Sequence, residues 1–181
     1  MQQKIPVTQK AVVLVNQQDE VLGYAEKIHA HQYALLHRAF SVLIFNQHNE
    51  LLLQQRAHSK YHCPGLWTNT CCSHALPDEP IESTAHTRLT FEMGISTPLS
   101  FVGTFYYQAE LENALWEHEL DHVFIGWCDH TPKPHPDEVS EARWISLPAL
   151  YSALQADPKA YTPWLVKALE LALTHPHFQP K

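Results

Sequence analysis

The chain has 181 residues, of which 45% are hydrophobic, and its formal net charge at pH 7 is −7 with histidine neutral. This size and composition exclude a disordered chain, and the four irregularly spaced cysteines do not form a secreted disulfide pattern. We therefore expect one globular, cytoplasmic domain over residues 1–181. An acidic chain without a basic stripe is not expected to bind nucleic acid, and no apolar run approaches the roughly 20 residues that span a membrane.

The first part of the chain predicts two pairs of strands. Residues 11–15 have the apolar character of a buried strand, and residues 21–27 can pair back onto them. Residues 38–46 and 50–56 flank a short polar segment, which is the pattern of a β-hairpin. The segment that follows is predicted to be a loop.

A helix is predicted over residues 79–94. Asp78 is the expected N-cap, Pro80 lies in the first turn, where proline is tolerated, and Gly94 is the expected stop. Apolar residues recur every four positions on one face of this helix, namely Ile81, Ala85, Leu89 and Met93.

The second part of the chain continues the sheet and adds two helices. Residues 100–111 and 116–128 are aromatic and β-branched, which predicts two long strands, and residues 142–147 predict a short one. Residues 148–156 and 162–174 are predicted to be helical. The order of elements predicts an α+β fold, in which a mixed β-sheet is sandwiched by helices in a single domain.

The sequence WEHEL places two carboxylates on one side of a strand. Because side chains alternate along a strand, Glu117 and Glu119 point the same way, about 7 Å apart. Taken alone, this pattern is more typical of a solvated strand face. It would become a metal site if imidazoles converged on it, and His31, His37 and His74 are the candidates. Three imidazoles with two carboxylates would suit manganese, magnesium or zinc.

Other charged residues allow two readings. Glu92 lies two residues before the predicted helix stop, where a carboxylate is unfavourable unless a cation is near, so it is a candidate magnesium ligand. Lys27, Arg56, Lys60 and Arg88 either serve solubility or clamp a diphosphate.

Cys72 also allows two readings. A free cysteine is commonly a small buried hydrophobic residue. As a base or nucleophile it needs a thiolate, which a nearby metal or cation favours, and His74 two residues away could bring a metal close.

Several motifs together resemble those of the type 1 isopentenyl-diphosphate isomerases, which belong to the Nudix superfamily. They are EKIHAH, LHRAFS, LLLQQRAHSKYHCPGLWTNTCCSH, RLTFEMGI, WEHELDHVF and TPWLV. The resemblance extends from about Val12 to the last helix. It implies a Nudix-like core over about 35–172, to which strands within 11–30 add part of the metal and diphosphate site.

The resemblance assigns roles to individual residues. It implies catalytic roles for Cys72, Glu119 and Tyr107. It implies substrate contacts by Lys27, Arg56, Lys60, Ser73, Arg88 and Trp164. It implies metal ligands at His31, His37, His74, Glu117 and Glu119 for Mn²⁺ or Zn²⁺, and at Glu92 for Mg²⁺ bound with the substrate diphosphate. No organic cofactor is implied, the partner is a small isoprenyl diphosphate, and the protein is expected to be a monomer or weak homodimer.

The implied reaction interconverts isopentenyl diphosphate and dimethylallyl diphosphate by a 1,3-allylic shift. An unactivated alkene needs a strong acid, and the hypothesis is that Glu119, backed by Tyr107, supplies the proton. The face of Trp164 would stabilise the tertiary carbocation, and Cys72 as a thiolate would remove a proton on the diphosphate side.

The chain departs from the family pattern at a few positions. His29 lies two residues before His31 and could replace it as a ligand. In the Nudix signature, Ser73, Thr87 and Phe91 replace a glycine, an arginine and one of the paired glutamates. The last change argues against the competing hypothesis of a Nudix pyrophosphohydrolase, which needs those glutamates to hold metals. A third hypothesis, a non-catalytic metal-binding module, would explain the histidines but not Cys72, Tyr107 and Trp164.

Overall fold

The fold is described from a computed structural model over residues 11–180, in which one sheet runs through the molecule. The strands are β1 (Ala11–Val15), β2 (Val21–Glu26), β3 (His37–Phe45), β4 (Glu50–Arg56), β5 (Trp67–Thr68), β6 (Cys71–His74), β7 (Ser100–Glu110), β8 (Trp116–Trp127) and β9 (Val139–Ser146). The helices are α1 (Lys27–Gln32), α2 (Ile81–Met93), α3 (Leu147–Ala156) and α4 (Leu165–Thr174). Short 3₁₀ turns occur at Glu112–Ala114 and Pro158–Ala160.

Strand β3 is central in the sheet and pairs with four other strands within residues 11–180. It pairs antiparallel with β1 and β6 and parallel with β8, and the last pairing sets His37 beside Glu119. The antiparallel register with β6 sets Ser41 beside Cys72 and Ala39 beside His74. Because side chains alternate along each strand, these registers bring the predicted site residues of β3, β6 and β8 to one region of the sheet.

The predicted pairing of β1 with β2 is confirmed, whereas the predicted hairpin of β3 and β4 is confirmed only near its turn. Between these two strands the ladder includes Phe45 and Leu51. Beyond that point β4 pairs along its length with β9. The two strands diverge because each pairs over more residues with another strand, β3 with β8 and β4 with β9.

Helices cover the sheet on both sides, as predicted for the α+β fold. Helix α2 packs Ala85, Leu89 and Met93 against Phe40 and Val42, and Ile81 packs against the same cluster. On the other side, α3 and α4 bury Leu150, Leu165 and Leu169 against Leu43 and Phe45. Each fully buried leucine of this kind contributes about 1.5–3 kcal/mol.

The predicted N-cap of α2 is wrong. The helix begins at Ile81, and Asp78 instead has a positive φ of 61° and accepts a hydrogen bond from the Tyr24 hydroxyl at 3.1 Å. The reason is Pro80, because a proline disfavours helical backbone at the residue before it. The predicted stop is confirmed, since Gly94 is left-handed with φ 65° and its N–H donates to Thr90 O.

Several other boundaries also differ from the predictions. The strand expected over 21–27 ends at Glu26, whose side chain caps the unpredicted helix α1 by accepting from His29 N at 2.9 Å. The strand expected over 142–147 runs over Val139–Ser146, and the last helix begins at Leu165 rather than 162. None of the helices within 11–180 has the length and apolar character needed to cross a lipid bilayer.

Candidate active site

A pocket of about 540 Å³ opens beside α2 and the strands β6 and β8. Most of the predicted site residues line it, namely Lys27, Arg56, Lys60, Cys72, Ser73, His74, Arg88, Tyr107, Glu117, Glu119 and Trp164. The other predicted ligands, His31, His37 and Glu92, are buried. The predicted residues that line the pocket come from four strands, two helices, the loop after β4 and the residue before α4, and they meet at one place although they are far apart in sequence.

Four buried side chains in this region form an imidazole–carboxylate cluster. Ligand atoms of His31, His37, His74 and Glu117 all lie within 4.8 Å of one another. Glu119 adjoins them, with its Oε1 3.0 Å from His74 Nε2 and 3.5 Å from His37 Nε2. The structure thus brings together the five residues that the sequence suggested for the Mn²⁺ or Zn²⁺ site.

The donor set of this cluster fits a metal ion. The Nδ1 atoms of His31 and His37 lie 2.9 Å from Trp116 O and 2.8 Å from Leu35 O. A carbonyl partner requires the proton on Nδ1, which leaves the Nε2 lone pair free to bind a metal. Within residues 11–180, Nε2 of both histidines and Oε2 of Glu117 are buried without a hydrogen-bond partner. Such atoms are costly unless something else binds them.

Burial also sets the protonation of the cluster. It lowers the pKa of His31 to about 4 and that of His74 well below its usual value, so both imidazoles are neutral at physiological pH. Burial and the neighbouring Glu119 raise the pKa of Glu117. For Glu119 burial acts in the same direction, but the nearby imidazoles of His37 and His74 outweigh it and lower its pKa. Neutral imidazole is the form that binds metals.

The choice between His29 and His31 is clear from their positions. Helix α1 carries both, but His29 is exposed and its ring lies 4.5 Å from that of Tyr33. His31 is fully buried in the cluster. Two residues correspond to about 200° around a helix, so the two side chains point to nearly opposite sides.

Glu119 and Tyr107 form a pair at the pocket wall. The Tyr107 hydroxyl donates to Glu119 Oε2 at 2.7 Å, across adjacent positions of β7 and β8. Burial and the Glu119 charge raise the pKa of Tyr107 well above its usual value. Tyr107 therefore remains a phenol that can donate a hydrogen bond to the carboxylate.

Cys72 reaches the pocket from β6, on the opposite side of β3 from Glu119. Arg56 Nη1 lies 3.7 Å from its sulfur. Burial raises the pKa of Cys72 to about 12, and the positive charge of Arg56 opposes that shift. A thiolate at Cys72 therefore needs positive charge beyond that of Arg56.

Trp164 lines the pocket, with its ring 5.7 Å from the guanidinium carbon of Arg56. Its ring centroid is 6.2 Å from that of Tyr107, and both pack in one buried cluster with Cys63. Its indole N–H donates to Asn69 Oδ1 at 3.2 Å, which fixes the plane of the ring. An aromatic face held in this way can stabilise a cation.

Arg88, another cation of the pocket, has acidic partners. Arg88 donates to Glu92 Oε1 from Nε at 3.0 Å and from Nη2 at 2.6 Å. Gln54 Nε2 donates to the other oxygen of Glu92 at 3.1 Å. The sequence predicts a cation near Glu92, because a carboxylate is unfavourable near the C-terminal end of a helix. In this structure that cation is Arg88.

Sequence reasoning missed several residues that line the pocket. His62 Nε2 lies 3.1 Å from Glu117 Oε1 and 3.1 Å from Arg56 Nη2. Asp121 follows Glu119 on the same face of β8 and accepts a hydrogen bond from Ser41 at 2.8 Å. Glu138 contacts both Lys60 and Arg88. The signal for Asp121 was the alternation that indicated Glu117 and Glu119, whereas loop residues such as His62 carry no periodic signal.

The NUDIX domain family matches residues 35–165, so the chain belongs to the Nudix family. The DR0079 protein of Deinococcus radiodurans has this fold, with a TM-score of 0.74 at 18% identity over 89% of this chain and 98% of that one. Within the family the curated relatives are more specific. Isopentenyl-diphosphate Delta-isomerase 2 of Photorhabdus laumondii is 46% identical over 87% of this chain and 89% of its own. The isopentenyl-diphosphate Delta-isomerase of Pectobacterium atrosepticum is 45% identical over 88% of each. The chain belongs to the isopentenyl-diphosphate Delta-isomerase family.

Proposed function

We propose that the chain interconverts isopentenyl diphosphate and dimethylallyl diphosphate, a step in the supply of isoprenoid precursors, in the pocket described above. This is the reaction of the isomerase family to which it belongs. The observation that carries the proposal is that a hydrogen-bonded Glu119–Tyr107 pair and the Cys72 thiol enter one pocket from opposite sides of β3. A double-bond shift needs a proton donor and a proton acceptor, and these groups supply both.

Two metal ions belong to the proposal. His31, His37, His74, Glu117 and Glu119 would hold Mn²⁺ or Zn²⁺, which suits their nitrogen and oxygen donors. Glu92 would hold Mg²⁺ together with the substrate diphosphate, after a rearrangement of its contact with Arg88. When bound, the first ion supplies Lewis acidity that makes a Glu119 carboxyl group more acidic. No organic cofactor is part of the proposal.

The residues of the chain account for the proton transfers. Glu119, oriented by Tyr107, acts in its protonated form, which it reaches by taking up a proton from solvent. It gives that proton to the terminal alkene carbon, and the electron pair of the double bond forms the new C–H bond. The resulting tertiary carbocation lies against the Trp164 ring. Cys72, as a thiolate, then takes a proton from the carbon on the diphosphate side and becomes a thiol, and that C–H electron pair forms the new double bond. A pocket with little water prevents capture of the cation.

The cationic part of the pocket would bind the diphosphate. Lys27, Arg56, Lys60 and Arg88 line it together with Ser73. Lysine and arginine are the residues that bind phosphate oxygens, and several positive charges are needed to offset those of a diphosphate. The cytoplasmic location and the monomeric or weakly dimeric state remain predictions from the sequence.

Hydrolysis is disfavoured by the residue at position 91. Phe91 stands where the Nudix signature has a glutamate, and its ring lies 5.1 Å from the Arg88 guanidinium carbon and 4.4 Å from the His135 ring. An aromatic ring offers no oxygen ligand to a metal that would activate water.

Proton exchange followed by NMR tests the proposed function. The protein, supplied with Mn²⁺ or Zn²⁺ and with Mg²⁺, is incubated with isopentenyl diphosphate in deuterated water. We expect dimethylallyl diphosphate that carries deuterium in a methyl group, because the added proton comes from a group that exchanges with solvent. The absence of product and of exchange with every metal supplied would contradict the proposal, and release of phosphate would favour a hydrolase.

The pH dependence of substrate binding is expected to reflect Lys27. Burial and the charge of Lys60 lower the pKa of Lys27 to about 8. Its positive charge is therefore present below pH 8 and is lost as the pH rises above it. We expect the KM for isopentenyl diphosphate to rise above pH 8, by up to about tenfold per pH unit. The matched variant Lys27→Arg should keep a flat KM, since arginine stays charged. A flat profile in the unaltered protein would contradict this assignment.

A further inference from the structure

Glu138 lies in the cationic part of the pocket, just before β9. Its backbone is fixed, since its carbonyl accepts from Ala57 N at 2.9 Å and its N–H donates to His135 O at 3.0 Å. Its side chain is 13% exposed and lines the pocket. The carboxylate is therefore held in the cationic part of the pocket by the main chain and does not belong to the imidazole cluster.

The Glu138 carboxylate joins two cations from different parts of the fold. One oxygen pairs with Lys60 Nζ, from the loop after β4. The other lies 3.1 Å from Arg88 Nη2, from helix α2. The two contacts lower the pKa of Glu138 despite its burial, so the group is a carboxylate at physiological pH. The loop, the helix and the start of β9 are thereby linked through one side chain.

Both cations keep donors for a ligand while they contact Glu138. An ammonium group has three N–H donors. Among the described residues, 11–180, Lys60 Nζ forms its ion pair with Glu138, which leaves N–H groups for a ligand. Arg88 uses Nε and Nη2 for its contacts with Glu92 and Glu138, which leaves Nη1 for another acceptor. A diphosphate can therefore bind Lys60 and Arg88 without displacing Glu138.

We propose that Glu138 is a positioning residue of the diphosphate subsite, which holds Lys60 and Arg88 at the separation that two linked phosphate groups require. The inference rests on the proposed function, because it concerns the subsite that binds the substrate diphosphate. A different role is conceivable on charge alone, in which Glu138 competes with the ligand for the two cations. The two roles predict opposite changes in affinity when the carboxylate is removed.

Calorimetric titration with inorganic diphosphate and Mg²⁺ tests the proposal without relying on catalysis. We expect Glu138→Gln to weaken binding about tenfold, since the amide can accept from one cation but not from both. The KM for isopentenyl diphosphate should rise by a similar factor, with kcat nearly unchanged, as for the loss of uniform binding. The matched control is Asp137→Asn, which removes the adjacent carboxylate, 88% exposed, and should leave both constants unchanged.

Glu138→Asp provides a second measurement that keeps the charge. Its shorter side chain moves the carboxylate, so a positioning role predicts weaker binding of diphosphate in this variant too. Pure competition for the cations predicts no weakening. Unchanged or tighter binding of diphosphate by folded Glu138→Gln would overturn the inference alone. Failure of the unaltered protein to bind diphosphate would overturn the diphosphate subsite as well, and isomerase activity measured in parallel would show whether the proposed function stands.

Discussion

Replacing Cys72 by alanine is expected to lower kcat for isomerisation about 10³-fold, because it removes the group that accepts the proton from the substrate. The diphosphate contacts remain, so the affinity for inorganic diphosphate should change little. Steady-state rates with isopentenyl diphosphate, followed by NMR, measure the first effect, and calorimetry measures the second. Cys72→Ala with full turnover would exclude Cys72 as the base.

The neighbouring cysteine provides the control. Cys71 lies on the same strand but is fully buried on the other side, where it packs in the cluster of Phe40 and Leu89. Cys71→Ala also removes a thiol group, but from the core. It should lower the free energy of unfolding without a comparable loss of kcat. If both substitutions reduced turnover equally, the loss would reflect the packing of β6 and not the chemistry of Cys72.

Replacing Glu119 by glutamine is expected to abolish turnover, with a loss of at least about 10³-fold, and to prevent incorporation of solvent deuterium. Glutamine has the shape of glutamate but carries no acidic proton, and it weakens the contacts with His37 and His74. The measurement is the NMR exchange experiment on Glu119→Gln, with the metal content determined by mass spectrometry. A variant that retains metal and still incorporates deuterium would exclude Glu119 as the acid.

Tyr107→Phe distinguishes the role of Glu119 as proton donor from the role of Tyr107 in orienting it. The ring and its packing against Trp164 remain, and only the hydrogen bond to Glu119 Oε2 is lost. We expect a smaller effect than for Glu119→Gln, about 10–100-fold in kcat, because the carboxyl group keeps its proton but is held less firmly. A loss as large as that of Glu119→Gln would assign the proton to Tyr107 instead.

The sequence predicted the parts of the site that follow from local geometry. Strand alternation was enough to put Glu117 and Glu119 on one side of β8, and both are buried there. It could not show that His37 would face Glu119, because parallel strands so far apart in sequence have no local signal for their register. Their convergence was implied by the resemblance, and the structure supplies the distances.

Apart from Asp121, the residues that sequence reasoning missed lie in loops and at element boundaries. Glu138 follows a polar loop, and its significance depends on Lys60 and Arg88, which are far from it in sequence. Asp78 is a residue type that is favoured at N-caps, yet Pro80 shifts the start of the helix to Ile81. The environment of Cys72 was also beyond prediction, since its raised pKa depends on burial by residues from several elements.

The short helix α1 has a consequence for the assembly of the site. It carries Lys27 and His31, one turn of helix apart, and both precede the matched NUDIX region of residues 35–165. That region holds His37, Glu119 and the other carboxylates, but not these two residues. A folding intermediate in which β1, β2 and α1 had not yet docked would have an incomplete coordination shell and one diphosphate contact fewer. Uptake of the metal would then mark the last step of folding, so the apoprotein and the metal-loaded protein should differ most in the protection of residues 11–32 from hydrogen exchange.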